Sequence, residues 1–199
     1  MTQTVGHQIA AGLADAGVTT IFGVISIHNM PILHAVADQG RIRFVPARGE
    51  AGAMNMADAF SRVSGEIGVA LTSTGTAAGN AAGAQAEALT AGSRVLHLTT
   101  QVDRQFMDRD RAAIHDVPKQ PEMLRGVSKA VYRVWDESGA MGALAAALRA
   151  VVTPPSGPVS LEVPVDVQRA PAVGNAPLTP PQPALPAPDA AFLDILANK

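Results

Sequence analysis

Residues 67–91 read IGVALTSTGTAAGNAAGAQAEALTA, and this stretch decides the fold. Residues 67–72 form a continuous apolar run, as expected for a strand covered on both faces. Ser73-Thr74-Gly75 interrupt the run, and residues 76–91 then predict an Ala- and Gly-rich helix. Gly75, Gly79 and Gly83 recur every four residues and leave a bare face. Such a face admits either another helix or a flat ligand at close range, and the pattern alone leaves both readings open.

The same strand–loop–helix unit recurs outward in both directions. Upstream, residues 19–24 (TTIFGV) predict a short strand after a helix that ends near Gly17. Residues 29–38 predict a helix, 42–45 a strand, and 50–64 a helix with Ala51, Gly52, Ala53 and Ala57 on one side. Downstream, 94–99 and 129–134 predict strands, 139–152 a helix stopping before Pro154-Pro155, and 159–163 (VSLEV) a last strand. Alternation with short connections predicts an α/β domain over residues 1–169: a doubly wound, mostly parallel six-stranded sheet with helices on both faces.

The composition changes after residue 169. Prolines 171, 177, 180, 181, 183, 186 and 188 place 7 of the 15 prolines in the last thirty residues, so 170–199 reads as an extended linker. Asp189 then has the character of a helix N-cap, with Phe192, Leu193 and Leu196 as an apolar stripe behind it. This reads as the start of a further domain, or as a tail.

Bulk properties exclude several function classes. The 199 residues are 47% hydrophobic and 16% charged, enough apolar material for a sizeable core. A net charge of -2 and a pI near 6.2 argue against nucleic acid as the main partner. The absence of cysteine removes disulfides, thiolate metal sites and a cysteine nucleophile together. MTQTVGHQ has no charged or apolar leader character, and no apolar run reaches the roughly 18–20 residues a bilayer requires. The expectation is a cytoplasmic protein without membrane partners.

In doubly wound folds ligands sit beyond the carboxyl ends of the strands, so the loops after them are the candidate site. These loops are Ile25–Pro31, Pro46–Ala53, Ser73–Asn80 and Thr100–Arg104. Glu50 begins a helix among small residues. It is either a helix-start acid stabilised by the dipole or a partly buried carboxylate that exchanges a proton with a ligand nitrogen. Residues 73–80 resemble a phosphate cradle but lack both G-x-G-x-x-G and G-K-[ST]. His7 and His34 fall in helical stretches, His97 in a strand and His115 in a loop, none at metal-ligand spacing; His28 lies in a strand-end loop. Asp108-Arg109-Asp110-Arg111 alternates in charge, as a solvated or interface loop does.

Taken together, the four loops resemble one family: the N-terminal pyrimidine-binding (PYR) domain of thiamine diphosphate enzymes, in the acetolactate synthase and pyruvate oxidase group. The resemblance runs over residues 3–169 and includes GLADAGVTTIFGV at 12–24, against L-x-x-x-G-V-x-x-x-F-G-V. It includes Arg48-Gly49-Glu50 with MADAFSR at 56–62, against R-H-E with M-A-D-G-Y-A-R. It also includes GPV at 157–159 and Pro164-Val165-Asp166-Val167-Gln168, against G-P-V-x-x-x-x-P-x-D-V-Q. The departures are Gly49 for the usual histidine, Thr74–Asn80 for S-G-P-G-A-T-N, and Val24-Ile25-Ser26-Ile27 for V-P-G-G.

The resemblance implies that Glu50 bonds N1′ of the cofactor's aminopyrimidine, favouring the tautomer whose 4′-nitrogen takes the C2 proton. It implies cofactor contacts at Ile25, Thr74, Gly75, Thr76 and Asn80, and substrate-side groups at His28 and Gln101. It further implies a PP domain, in this chain or a partner chain, that holds the diphosphate through Mg²⁺. That domain's G-D-G motif is absent from these 199 residues, so the chain is expected to be inactive alone. A homodimer or homotetramer, paired through the small-residue helices 50–64 and 76–91, is expected, with a small 2-oxo acid as substrate. Two other readings accompany it: a natural PYR subunit of a two-chain 2-oxo acid decarboxylase, and a non-catalytic interaction module.

Overall fold

A computed structural model describes residues 3–174, 177–183 and 189–197. Six strands, β1 (Thr20–Gly23), β2 (Arg43–Pro46), β3 (Gly68–Leu71), β4 (Val95–Gln101), β5 (Ala130–Arg133) and β6 (Val159–Pro164), form one sheet. Its order is β2-β1-β3-β4-β6-β5, and every neighbouring pair is parallel. This is the expected doubly wound architecture.

Helices cover both faces, and strand alternation explains what each face buries. Val69 and Leu71 of β3, with Leu96 and Leu98 of β4, pack into the larger cluster. That cluster also takes the apolar faces of α1 (Val5–Asp15), α2 (Met30–Gln39) and α6 (Ala140–Val152). Ala70 and Val95 point the other way, onto α3 (Glu50–Ser64) and α4 (Thr76–Thr90), which answer with Met54, Ala57, Ala81, Ala84 and Ala88. This second layer is built almost wholly from small residues, so the helices lie close to the sheet. Gly68 shows how close: an added Cβ there would lie 2.0 Å from the carbonyl oxygen of Ala57.

Beyond Val95, the α4 side of the sheet is polar. His97 and Thr99, both fully buried on β4, join Thr72 after β3, Gln85 of α4, Ser128 and Ser160 in a hydrogen-bonded layer. A buried polar layer of this kind is tolerated because its members satisfy one another.

The boundaries of α3 agree with the sequence expectation at both ends. Two short helices carry no sequence signal. α5 (Gln120–Arg125) has six residues, and α7 (Val165–Arg169) has five and starts directly from β6. Strand β4 runs two residues past the expected end at 99, because Thr100 pairs with Val163 and Gln101 with Pro164.

The start of the proline-rich segment lies along α1. Thr4 and Pro171 form an isolated bridge, and Gln8 Nε2 donates to the carbonyls of Val173 and Gly174. α8 (Ala190–Ala197) begins where Asp189 predicts it, with the Ala191 amide donating to Asp189 Oδ1 at 2.9 Å. Phe192, Leu193 and Leu196 are exposed. Pro186 and Pro188 lie outside the described residues. Among the described residues no helix is long and apolar enough to cross a membrane.

Candidate functional site

The chain order of the sheet reverses between β1 and β3: β2 lies on one side of β1 and β3 on the other. Loops leaving two adjacent strands in opposite directions open a crevice at that point. A cavity of about 330 Å³ occupies it, within the range of small-molecule sites. Its walls come from three strand ends: Val24–Ile27 after β1, Glu50 after β2, and Ser73, Thr76 and Ala77 after β3, with His115 closing one side.

Glu50 is the first residue of α3, where the dipole and free amides favour a carboxylate. It is half-buried, and Asn80 of α4 donates Nδ2–H to its Oε2 at 3.2 Å. Ile25 is 58% exposed and offers an apolar surface beside it. One carboxylate, three hydroxyls (Ser26, Ser73 and Thr76) and apolar walls suit a flat heteroaromatic ring carrying a protonatable nitrogen. The donor set therefore fits an aminopyrimidine. Among the described residues no group of histidines and acids can hold a metal ion.

The other expected residues divide. Ile25, Glu50 and Thr76 line the cavity, and Asn80 holds Glu50. Thr74 and Gly75 do not line it. Thr74 is fully buried and donates Oγ1–H to Gln101 Oε1 at 2.8 Å. Gly75 adopts φ +56°, and a Cβ there would lie 1.7 Å from the His115 carbonyl oxygen. It shapes the loop rather than offering a contact.

Gln101 is a strand residue facing the interior, because the longer β4 turns it inward. Its Oε1 also accepts from the Val102 amide at 2.8 Å, and it lines neither this cavity nor the one beside it. His28 is 5% exposed, its Nδ1 3.3 Å from Ser73 Oγ, which is itself 2.7 Å from Ser26 Oγ. Burial lowers its pKa from the usual value. His115 lowers it further, Asp103 opposes, and Arg169 adds to the lowering, so the ring is neutral near pH 7.

Two residues escaped the sequence reading. His115 contacts His28 edge to face at 5.9 Å between ring centroids, although 87 positions separate them. Gln120 links the loops to the core: its Oε1 accepts from the Gly75 amide, and its Nε2 donates to Thr100 O at 3.2 Å and Glu162 Oε1 at 2.5 Å. Glu162 is fully buried against Arg133. Burial raises its carboxyl pKa despite the opposing pull of Arg133 and Gln120. No spacing in the sequence marks either residue, because only the folded loop at 102–119 brings them to the strand ends.

Comparison with known proteins adds an independent finding. Residues 3–123 match the family model described as thiamine pyrophosphate enzyme, N-terminal TPP binding domain. The chain is 35% identical over 169 residues to human 2-hydroxyacyl-CoA lyase 2, covering 81% of this chain and 25% of that protein. It is 28% identical over 170 residues to a Pseudomonas aeruginosa protein named "Probable 2-ketoarginine decarboxylase", covering 85% and 30%. It is 29% identical over 167 residues to Arabidopsis thaliana chloroplastic acetolactate synthase, covering 84% and 24%. The chain thus spans about a quarter to a third of the length of these relatives.

Proposed function

Because the chain belongs to the family of thiamine pyrophosphate enzyme N-terminal TPP binding domains, we propose that it supplies the aminopyrimidine half of a thiamine diphosphate site in an enzyme acting on a 2-oxo acid. The observation that carries this reading is Glu50, half-buried at the strand-order reversal and held by Asn80.

When bound, the cofactor supplies an electron sink for cleavage next to a carbonyl. The protein's share is local. Glu50 holds or moves a proton at the ring nitrogen facing it, and Asn80 fixes the carboxylate for that exchange. Ile25, Ile27 and Ala77 exclude water from one side of the ring. His28, neutral and anchored through Ser73, is positioned as a substrate-side group.

All walls of the cleft on this chain come from one side of a sheet edge. The reading therefore assigns the diphosphate and its Mg²⁺ to a PP domain, on this polypeptide or a partner. It also pairs two copies of the chain through α3 and α4. Ala51, Gly52 and Ala59 are exposed on α3, Val63 is 89% exposed, and nothing lies within 4 Å of a Cβ placed at Gly52 or Gly83.

The test is Glu50→Gln in the complete assembly. The fold stays intact and turnover falls at least about a hundredfold, the scale of general acid–base effects. Wild-type turnover in this variant refutes the assignment.

A further inference from the structure

Two hydroxyls connect the cofactor cleft to His28. Ser26 and Ser73 both line the cleft, and their Oγ atoms lie 2.7 Å apart. Ser73 Oγ lies 3.3 Å from His28 Nδ1. His28 itself lines a second cavity, of about 400 Å³, together with Val102, Asp103 and Phe106. Its Nε2 makes no hydrogen bond among the described residues, so this nitrogen is left for a ligand in that cavity.

The loop does not need these hydroxyls to keep its shape. Asn29, fully buried, accepts the Ser26 amide on Oδ1 at 2.9 Å and donates Nδ2–H to the Val24 carbonyl at 2.9 Å. Gln168, also fully buried, donates Nε2–H to the His28 carbonyl at 2.9 Å. Two amide side chains thus hold the backbone from opposite ends.

The hydroxyls fit either neutral tautomer of the ring. The His28 amide donates to Ser26 Oγ at 3.3 Å in both cases. In the first arrangement Ser26 O–H donates to Ser73 Oγ, Ser73 O–H donates to Nδ1, and Nε2 carries the ring proton. In the second, Nδ1–H donates to Ser73 Oγ, Ser73 O–H donates to Ser26 Oγ, and the Ser26 proton turns to the cleft. Each hydrogen bond of the chain is made in both arrangements, with donor and acceptor exchanged. Burial keeps the ring neutral near pH 7, with one proton to place.

We propose that Ser26 and Ser73 form a proton relay between the cofactor cleft and His28, and that His28 serves a ligand in the second cavity as acid and base. Starting from the first arrangement, the ligand takes the Nε2 proton and Nδ1 takes the proton of Ser73. Ser73 takes that of Ser26, and Ser26 takes one from a protonated group in the cleft. The protein ends in the second arrangement with its charge unchanged. One proton has left the cleft and one has reached the ligand. The reverse sequence removes a proton from the ligand. The inference rests on the cofactor reading above, which supplies the protonatable group in the cleft.

The experiment is a two-bond proton–nitrogen NMR correlation of the full chain, labelled with ¹⁵N-histidine, near pH 7. His28→Gln identifies the His28 signals. In the wild type both ring nitrogens resonate between the protonated and unprotonated positions, because the two tautomers exchange. Ser26→Val leaves the Ser73 hydroxyl no acceptor but Nδ1, so the Nε2–H tautomer gains at least about fivefold, the scale of one buried hydroxyl left unpaired. Ser26→Thr has the same shape and keeps the hydroxyl, so the averaged signals return. A single tautomer in the wild type, no change in Ser26→Val, or the same change in Ser26→Thr overturns the proposal. In the complete assembly Ser26→Val also slows turnover, and turnover equal to the wild type overturns the part of the relay in the reaction. The NMR measurement needs no cofactor. Its failure leaves the Glu50 assignment standing, and wild-type turnover in Glu50→Gln leaves the tautomer measurement valid.

Discussion

Acid should weaken this fold through the buried ring of His97. The ring is fully buried between the sheet and α4, and burial lowers its pKa from 6.5 to about 3. The hydrogen bonds fix its neutral tautomer: Nδ1–H donates to Gln85 Oε1 at 2.7 Å, and Nε2 accepts from Thr72 Oγ1 at 2.9 Å. A second ring proton would turn Nε2 into a donor and put a charge where no acid lies to meet it. The folded value lies below the unfolded one, so the unfolded chain binds more protons between those two pH values. Stability is therefore full above pH 6.5 and falls as the pH drops toward 3. At about 1.4 kcal/mol per pH unit, His97 removes about 3 kcal/mol by pH 4.5. That is a large part of the roughly 5–15 kcal/mol that holds a typical domain. Urea denaturation at pH 7.5 and 4.5 measures it, with His97→Gln as the reference that cannot titrate. Other titrating groups cancel in the comparison, and the wild type loses about 3 kcal/mol more than the variant. Equal losses in the two proteins would refute the reasoning.

Two further perturbations probe the strand-end loops and the core beneath them. Gly75→Ala forces a Cβ against the His115 carbonyl at φ +56°; it should cost at least about 2 kcal/mol in a thermal melt and open the 102–119 segment to proteolysis. An unchanged melting temperature would mean that the loop relaxes freely. Glu162→Gln leaves the nearly buried Arg133 with Asp108 as its remaining carboxylate and should cost about 1–3 kcal/mol, less than the roughly 3–5 kcal/mol of a pair broken to leave a lone buried charge. Adding Arg133→Met to that variant should recover part of the loss; a double variant less stable than the single one would show that the pair is not a unit.

The fold was legible wherever burial on two faces or a helix signal was strong. Residues 67–72 announced a central strand because both of its faces are covered, and β3 does lie inside the sheet. α3 was legible to the residue because it starts on an acid after Gly49 and stops at Gly65, which adopts φ +76°. α5 and α7 were illegible for the opposite reason. Each is too short to establish a period, and α7 grows straight out of the strand without a turn signal. The end of β4 was missed because Thr100 and Gln101 are polar. Their place in the sheet is set by pairing with β6, a contact some sixty residues away in sequence.

The candidate site was legible to the extent that it sits on regular elements. Glu50 and Thr76 begin helices, and Ile25 follows a strand, so the rule that ligands lie beyond strand ends placed them together. Thr74, Gly75 and Gln101 follow the same rule and still do not line the cleft, because the rule fixes where a residue stands and not which way it turns. Their direction is set by Gln120 and by the carbonyl of His115, both on the irregular 102–119 stretch and the helix that ends it. In that stretch Asp108, Asp110, Ala112, His115 and Lys119 all adopt positive φ. A non-glycine residue holds such an angle only where its surroundings require it. The sequence shows no glycine that would mark these turns in advance. The same loop carries His115 to the cofactor cleft and Asp103 to the cavity beside it. The proposed pyrimidine contacts at Ile25, Glu50 and Thr76 thus stand on regular elements that the sequence displays, while His115 and Asp103 stand on the one segment whose course it conceals.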